Sequence, residues 1–229
     1  MKPLQTLVNV LILALILSSC TKTTIVINKN DVAKKSSYIQ LVHASPDVKG
    51  ITIWLNDSTQ QKIGQYYKSN AHYIQIPVGL TKVEVKLSRE EKTLFSSYEK
   101  ILPATHYSMF ASDSQKNFSA FITVDEPLPL KESVAQLRIV NCLSTNESID
   151  VGLENAVNFS ETKFKNASPY QYVEPGSKNL KICNSAKNTN IIQNVLIYLD
   201  PGVVYTLYVN GFTNQTGTYA PDAILMVNH

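Results

Sequence analysis

Short runs in which apolar and polar residues alternate recur along the chain from residue 38 onward. In the first run Ile39 and Leu41 share one side, and in the next Ile51, Ile53 and Leu55 share one side. A repeat of two residues is the period of a β-strand with one buried face, and the frequent isoleucine, valine, threonine and tyrosine favour strands. No stretch shows a long 3.6-residue period. The pattern therefore predicts an all-β protein made of short strands.

The chain also repeats itself over a long distance. Residues 39–44 match residues 137–142 at an offset of 98, and residues 67–73 match residues 164–170 after a single deletion. Solenoid units are only about 20–50 residues long, so a period of this length indicates duplicated domains. Each copy is expected to close its own hydrophobic core.

The boundary between the copies contains Pro127 and Pro129, which deny backbone hydrogen bonds to a strand and stiffen the connection. We predict a first domain at 38–126, a linker at 127–133 and a second domain at 134–229. Seven or so short strands per copy, separated by turn sequences, are typical of a β-sandwich.

A tyrosine ends a Pro-x-x-x-Tyr pattern in each copy, at Tyr107 and Tyr205. The spacing is similar to that of a tyrosine corner, in which the phenol hydroxyl ties a strand to a preceding turn. A plain core tyrosine is the alternative interpretation of both residues.

The N-terminal segment has the pattern of an export signal. Lys2 is followed by an apolar run at 7–17 and by two serines before Cys20. This run is about half the roughly 20 residues that a membrane-spanning helix needs. Leu-Ser-Ser-Cys at 17–20 resembles the recognition box of lipoprotein signal peptidase, whereas an ordinary cleaved signal that contains a cysteine is the alternative.

We therefore expect a lipoprotein signal peptide at 1–19, and a lipidated Cys20 with a flexible tether at 20–37. Several acyl chains on one cysteine are enough for stable anchoring, so the membrane is the first expected partner. Thr21, rather than an aspartate, follows the cysteine and favours the outer membrane by resemblance to other lipoproteins. The expected location is the bacterial cell envelope.

Charge excludes one class of partner. Charged residues make up 17% of the chain, and the formal net charge is +3. No basic run approaches a nucleic-acid footprint, so we expect no nucleic-acid partner.

Two cysteines remain after Cys20, and export permits a disulfide. Alternation places Cys142 and Cys183 away from the presumed core. They could pair only if their strands are neighbours within disulfide geometry, and two free thiols are the alternative.

The sequence Leu-Val-His-Ala-Ser-Pro-Asp at 41–47, with the strand that follows it at 51–56, resembles a bacterial family of domains of unknown function. The signature of that family reads roughly Val-His-Ala-Ser-Pro-Asp and then Val-Asp-Val-Tyr, often in tandem in exported or lipid-anchored proteins. The second copy here departs from it, with Asn-Cys-Leu-Ser at 141–144. The resemblance implies two tandem immunoglobulin-like sandwiches in the envelope and no catalytic residue, because the family has no established reaction.

His43 ends a strand four residues before Asp47 and is the natural suspect for chemistry. We expect a structural role, in which the imidazole hydrogen-bonds the following turn while Ser45 and Asp47 form that turn and bond local backbone. A metal site needs three or four convergent ligands, and no His-x-His, Cys-x-x-Cys or His-Glu-x-x-His spacing occurs. A composite site of His43 and His72 is the alternative, but no metal and no cofactor are predicted.

Signatures of catalysis are missing from the sequence. There is no Gly-x-Ser-x-Gly elbow, no catalytic cysteine signature and no glycine-rich phosphate loop. We predict that the protein is not an enzyme.

Trp54 should point away from the core, because Ile51, Ile53 and Leu55 define the inward face of its strand. An outward tryptophan is costly unless something covers it. A contact to the other domain is the favoured interpretation, with a sugar-stacking platform or a protein contact as alternatives. Tyr66 and Tyr67 would extend this aromatic patch.

The sequence thus favours a lipid-anchored, non-enzymatic binding, adhesion or structural module whose partner is an envelope protein or a glycan. One alternative is an accessory lipoprotein that captures glycans or nutrients beside an outer-membrane transporter. Another is a hydrolase whose site forms between the domains.

Overall fold

The computed structural model describes residues 36–62, 67–70, 72–145, 147–154 and 156–228. The predicted signal peptide, Cys20, nearly all of the tether, and Tyr66 lie outside the described residues. Within the described part of the chain, no helix is long and apolar enough to span a bilayer.

The described residues form strands joined by turns, with two single-turn 3-10 segments at Gln115–Asn117 and Gly217–Tyr219. The prediction of an all-β protein is confirmed. The strands of the first copy are β1 (Ser37–His43), β2 (Ile51–Leu55), β3 (Ser58–Lys62), β4 (Ile74–Ile76), β5 (Gly79–Leu87), β6 (Thr93–Ile101), β7 (His106–Ser112) and β8 (Ser119–Val124). Those of the second copy are β9 (Ala135–Asn141), β10 (Ile149–Leu153), β11 (Asn158–Thr162), β12 (Asn166–Ala167), β13 (Gln171–Val173), β14 (Gly176–Asn184), β15 (Asn190–Leu199), β16 (Val204–Asn210) and β17 (Asp222–Asn228).

Each copy folds into two sheets. In the first copy we call β4-β1-β7-β8 the inner sheet and β3-β2-β5-β6 the outer sheet. In the second copy the inner sheet is β12-β9-β16-β17, with β13 also paired to β9, and the outer sheet is β11-β10-β14-β15. The same parallel pair lies at the centre of both inner sheets, with Ile39 beside Tyr107 in one copy and Leu137 beside Tyr205 in the other.

A hydrophobic core lies between the two sheets of each copy. Ile39, Leu41, Ile51 and Ile53 belong to the first core and are fully buried. The equivalent residues of the second copy, among them Leu137 and Ile139, form the second core. Alternation in the strands therefore places the core residues as expected. The domain boundaries at 38–126 and 134–229 stay a prediction.

A third apolar cluster joins the two inner sheets to each other. It contains Val42 and Phe110 from the first copy and Val140, Cys142 and Tyr208 from the second. Phe110 stacks on Phe121, and its ring centroid lies 6.0 Å from that of Tyr208. Both faces of each inner sheet are consequently buried: one packs against its own outer sheet and the other against the second copy. We call this contact between the inner sheets the seam.

Candidate functional site

A buried ion pair crosses the seam. Arg138 in β9 donates from Nη2 to Oδ1 of Asp125, which follows β8, and the two side chains are only 1% and 3% exposed. Arg138 Nη1 also donates to the backbone carbonyl of Val124 at 2.9 Å. The ring of Tyr170 lies 4.9 Å from the guanidinium carbon. Both charged groups are therefore buried in the protein. The ion pair connects the second copy to the end of the first.

Polar side chains from both copies complete this ion pair. Asp125 Oδ2 accepts hydrogen bonds from Ser108 Oγ at 2.6 Å and from the hydroxyl of Tyr73. Gln40 Nε2 donates to Tyr73 Oη and to Ser108 Oγ, both at 2.9 Å.

On the other side of the pair, Arg138 Nε donates to Thr206 Oγ1 at 2.9 Å, and that hydroxyl donates to Asn228 Oδ1 at 2.7 Å. Asn228 Nδ2 then reaches Tyr73 Oη at 3.3 Å, which closes the network across the seam. Burial, and then the charge of Asp125, raise the pKa of Tyr73 well above its usual range.

A cavity of about 460 Å³ opens beside this network, at the end of the seam where the linker passes. Both copies and the segment between them contribute to its walls: Tyr73, His106, Asp125, Pro127, Leu130, Tyr170, Gly202, Val203, Val204, Val227 and Asn228. Interfaces between domains are among the preferred positions of ligand sites.

His43 lies at the end of β1 and is completely buried. The backbone carbonyl groups of Val48 and Lys49 face its ring and favour the protonated form, but the larger effect is burial, which lowers the pKa of the imidazole to about 4. Neither ring nitrogen makes a hydrogen bond of normal geometry. The ring therefore lies against the turn that follows β1, and its expected hydrogen bond to that turn stays a prediction.

Asn141 takes the place of His43 in the second copy and does bond its turn. Its Nδ2 donates to the carbonyl groups of Glu147 and Thr162 at 3.0 Å, and its Oδ1 accepts from the backbone N–H of Leu143 at 3.0 Å. The amide is the better cap here, because its donors and acceptor all find backbone partners.

Ser45 and Asp47 form their turn but bond backbone that is remote in sequence rather than local. Ser45 Oγ donates to the carbonyl of Asp113, and Asp47 Oδ1 accepts from the N–H of Gln115 at 2.8 Å. The expectation of local bonds fails because the parallel pairing of β1 with β7 brings the two strand ends together.

Tyr107 and Tyr205 make the same contact in the two copies. Tyr107 Oη accepts from the N–H of Leu102 at 2.9 Å, and Tyr205 Oη accepts from the N–H of Asp200 at 3.0 Å. Tyr205 also donates to Asp200 Oδ2 at 3.0 Å, and burial raises its pKa. Each hydroxyl thus ties a strand to the turn that precedes it.

We expect Tyr107→Phe and Tyr205→Phe each to lower the free energy of unfolding by about 1–2 kcal/mol, because each leaves a backbone N–H without its partner. Urea unfolding of the full chain measures this loss. Tyr98→Phe is the matched control, since its side chain is exposed and its substitution should change stability by less than about 0.5 kcal/mol. Equal stability of all three variants would contradict the prediction.

Trp54 does not contact the second copy. It lies in β2 of the outer sheet, whereas the seam is built by the inner sheet. Its half-buried ring is covered from within its own sheet by Lys86, whose Nζ lies 3.8 Å from the ring centroid. This cation–π contact covers the ring. The sequence indicated that Trp54 needs such a cover, but not which residue provides it.

Tyr67 does not extend an aromatic patch around Trp54. Lys68 Nζ lies 5.2 Å from its ring centroid and forms an ion pair with Asp222 of the second copy. Burial, followed by the charge of Asp222, raises the pKa of Tyr67. Tyr67 therefore belongs to the seam, on the other side of the first sandwich.

The possible disulfide is not formed, because Cys142 and Cys183 are both free and buried. Cys142 lies in the apolar cluster of the seam, whereas Cys183 in β14 of the outer sheet contacts Asn190 Oδ1 at 3.3 Å. Both side chains point away from the second core, as the alternation predicts. Cys142 lies on the seam side of that core and Cys183 on the outer-sheet side, so the core separates the two thiols.

The outer sheets carry exposed apolar side chains. In the first copy these are Leu80 and Tyr98, and in the second Leu196 and Tyr198, with exposed fractions of 73%, 68%, 71% and 59%. Tyr98 pairs with Lys82 in β5, and Leu196 pairs with Asn179 at the equivalent position of β14. We call these four residues the outer-face cluster.

Sequence reasoning missed both Arg138–Asp125 and the outer-face cluster. A signal for the first was present, since Arg138 shares its strand face with Val140 and Cys142, and a charge among apolar neighbours requires a partner. The partner lies beyond the end of another strand, so the sequence does not indicate it.

A sequence-family model with the description "Domain of unknown function (DUF4397)" matches residues 37–151 and again residues 135–225. No curated protein matches the sequence significantly.

Two solved structures are similar to this chain at low sequence identity. One is the CBM26 module of Eubacterium rectale Amy13K in complex with maltoheptaose, at 11% identity and a TM-score of 0.27, covering 85% of this chain and 97% of that one. The other is a candidate cell adhesion protein from Bacteroides uniformis, at 9% identity and a TM-score of 0.26, covering 84% of this chain and 98% of that one. At such TM-scores neither likeness carries an argument about function.

Proposed function

Since the chain belongs to the DUF4397 family, we propose that it is a lipid-anchored protein of the bacterial cell envelope that acts as a non-enzymatic binding or structural module. The export pattern that ends at Cys20 supports the location and the anchor. The acyl chains would hold the protein on the outer membrane, and the tether would separate the folded part from the lipid surface.

The outer-face cluster is the observation that carries the binding role. Neighbouring large apolar side chains that stay exposed are typical of interaction sites, and each outer sheet carries two of them. The seam uses the inner sheets, so the outer sheets are the broad faces left for a partner. Tyr98 and Leu196 occupy equivalent positions in β6 and β15, so each copy presents a similar outward face to a partner.

Residues around the cluster in the first copy add charge to this face. Lys82 contacts Asp57 at 2.7 Å, and Lys86 lies 3.7 Å from Glu84. Exposed tyrosine and leucine fit the centre of a protein interface, and the charged groups around them fit its polar rim. We therefore place an envelope protein ahead of a glycan as the partner.

The cavity at the end of the seam favours the second candidate function, capture of a small nutrient or glycan. Its volume lies within the range of about 300–1,000 Å³ that is usual for ligand sites. Hydrolysis is less favoured, because the carboxylate that lines the cavity, Asp125, is already engaged by Arg138, Ser108 and Tyr73.

The binding role is tested with a Cys20→Ser chain, in which the sulfur that would carry the lipid is gone. Fractionation of cells should recover the parent chain with membranes and the serine variant in the soluble fraction. The soluble variant should then cosediment with envelope fragments of the source bacterium. Changing the outer-face cluster to serine (Leu80→Ser, Tyr98→Ser, Leu196→Ser and Tyr198→Ser) should weaken this binding at least about tenfold, since interface anchors dominate affinity.

Tyr219→Ser is the control, because Tyr219 is an exposed aromatic residue outside the outer-face cluster. It should leave cosedimentation unchanged. Equal binding of the cluster variant and the parent would rule out this face, and membrane retention of the serine variant would rule out the anchor.

A further inference from the structure

The cavity at the end of the seam is built by parts of the chain that are distant in sequence. Tyr73 and His106 come from the first copy, Tyr170 and Asn228 come from the second, and Leu130 belongs to the linker. The linker is held in place on the second copy, since Tyr172 Oη donates to the carbonyl of Pro129 at 2.6 Å. The cavity therefore exists only where the two copies and the linker meet.

Its walls are mainly apolar and aromatic. Val203, Val204 and Val227 line the cavity together with the rings of Tyr73, His106 and Tyr170. The His106 ring is fixed between two tyrosines, stacked on Tyr38 at a centroid distance of 5.1 Å and edge-on to Tyr73 at 5.3 Å. Rings held in this way present fixed surfaces to a flat molecule.

Among the described residues, some polar groups of the walls already have their hydrogen-bond partners within the protein, whereas one has none. Asp125 is neutralised by Arg138, and the Tyr73 hydroxyl donates to Asp125 while it accepts from Gln40 and Asn228. These groups offer nothing to a ligand, and they leave the walls without an unpaired charge.

Tyr170 provides the unused group. Its side chain is only 7% exposed, its hydroxyl has no hydrogen bond of normal geometry, and burial raises its pKa to about 12. The Thr206 hydroxyl lies close enough to lower the pKa of Tyr170 slightly, but its strong hydrogen bonds are those that it accepts from Arg138 and donates to Asn228. A buried hydroxyl without a partner is unfavourable, and it becomes favourable when a ligand oxygen accepts its proton.

His106 adds a polar ring to the wall, next to Tyr73. The wall therefore combines apolar surface, fixed rings and the buried Tyr170 hydroxyl, while its one carboxylate is already paired.

We infer that this cavity binds a small, neutral, flat organic molecule with a hydrogen-bond-accepting oxygen, of the class of aromatic carbonyl compounds. The rings of Tyr73, His106 and Tyr170 contact its faces, and the Tyr170 hydroxyl donates to its oxygen. A charged ligand would lose its hydration without gaining a counter-ion, since the one carboxylate of the walls is already paired. This inference rests on the second candidate function and names its ligand class, and it depends on neither the outer-face cluster nor the anchor.

Nile red is a suitable probe, because it is neutral and flat, carries one carbonyl oxygen and fluoresces when it leaves water. Titration of the Cys20→Ser chain should give saturable binding of one dye per chain, with a Kd on the order of 10 µM for a ligand of this size. Val227→Trp places a large ring at the half-exposed rim of the cavity and should weaken binding at least about tenfold.

Tyr170→Phe separates a binding role from a structural one. It removes only the hydroxyl, so the dye should bind about 3–10-fold more weakly while the urea midpoint stays equal or rises, because an unpaired buried group is lost. A fall in the midpoint with unchanged dye binding would contradict the proposal.

Controls distinguish the cavity from the protein surface. The outer-face cluster variant should bind the dye like the parent, so that failure of the proposed function leaves this result unaffected. A signal that never saturates, or saturable binding that Val227→Trp leaves intact, would overturn the proposal.

Discussion

Arg138→Met is expected to lower the free energy of unfolding by about 3–5 kcal/mol. The substitution keeps a long apolar side chain in β9 but leaves the carboxylate of Asp125 buried at the seam without its counter-charge, and an uncompensated buried charge has a cost of this size. Thr206 Oγ1 and the carbonyl of Val124 lose their donor at the same time. Chemical unfolding of the full chain, followed by circular dichroism, measures the loss.

Lys187→Met is the matched control for this prediction. Lys187 pairs with Glu147 at the surface, with side chains that are 63% and 38% exposed, and a pair of this kind contributes only about 0–1 kcal/mol. Adding Asp125→Asn to Arg138→Met should restore part of the stability, because it removes the orphaned charge. If Arg138→Met costs no more than Lys187→Met, the ion pair does not stabilise the seam.

His43→Asn is expected to flatten the dependence of stability on pH between about pH 7 and pH 4. In the folded chain burial lowers the pKa of His43 from 6.5 to about 4, so within this interval the unfolded chain binds a proton that the folded chain does not. The free energy of unfolding is therefore highest above pH 6.5, where the ring is neutral in both states. It decreases by about 3 kcal/mol in total as the pH falls towards 4. Asparagine is the appropriate replacement, because Asn141 occupies the equivalent place in the second copy.

Urea unfolding at a series of pH values measures this effect as a difference in slope between the parent and the variant. His72→Asn is the control, since His72 is exposed and its removal should leave the slope unchanged. Parallel stability curves for the parent and His43→Asn would show that the buried imidazole does not govern acid sensitivity.

Much of the fold followed from local pattern. Alternation in residues 37–43 and 135–141 identified Ile39, Leu41, Leu137 and Ile139 as core residues, and all are fully buried. Tyr107 and Tyr205 lie where the repeat places them, each beside a core residue of a parallel strand. Such features depend on a few neighbouring residues, which is why they could be predicted.

The sites were less predictable, because they depend on contacts between remote segments. Trp54 was expected at a domain contact, yet Lys86 from the adjacent strand covers it. Tyr67 was expected beside Trp54, yet it faces Asp222 across the seam. Several residues could pack against an outward-facing side chain, and the sequence does not indicate which one does.

The sequence alone determined the strand period and the export pattern, because both depend on residues that are close together. It also determined the duplication, because this is a similarity between two stretches of sequence. Only the tertiary structure decided that the second faces of β1, β7, β9 and β16 meet each other. That contact buries Arg138 against Asp125 and places Tyr170, His106 and the linker around one cavity. The physical reason is that a period of two defines the sides of a strand, whereas the choice of which sides pack together depends on shape and charge complementarity between whole sheets.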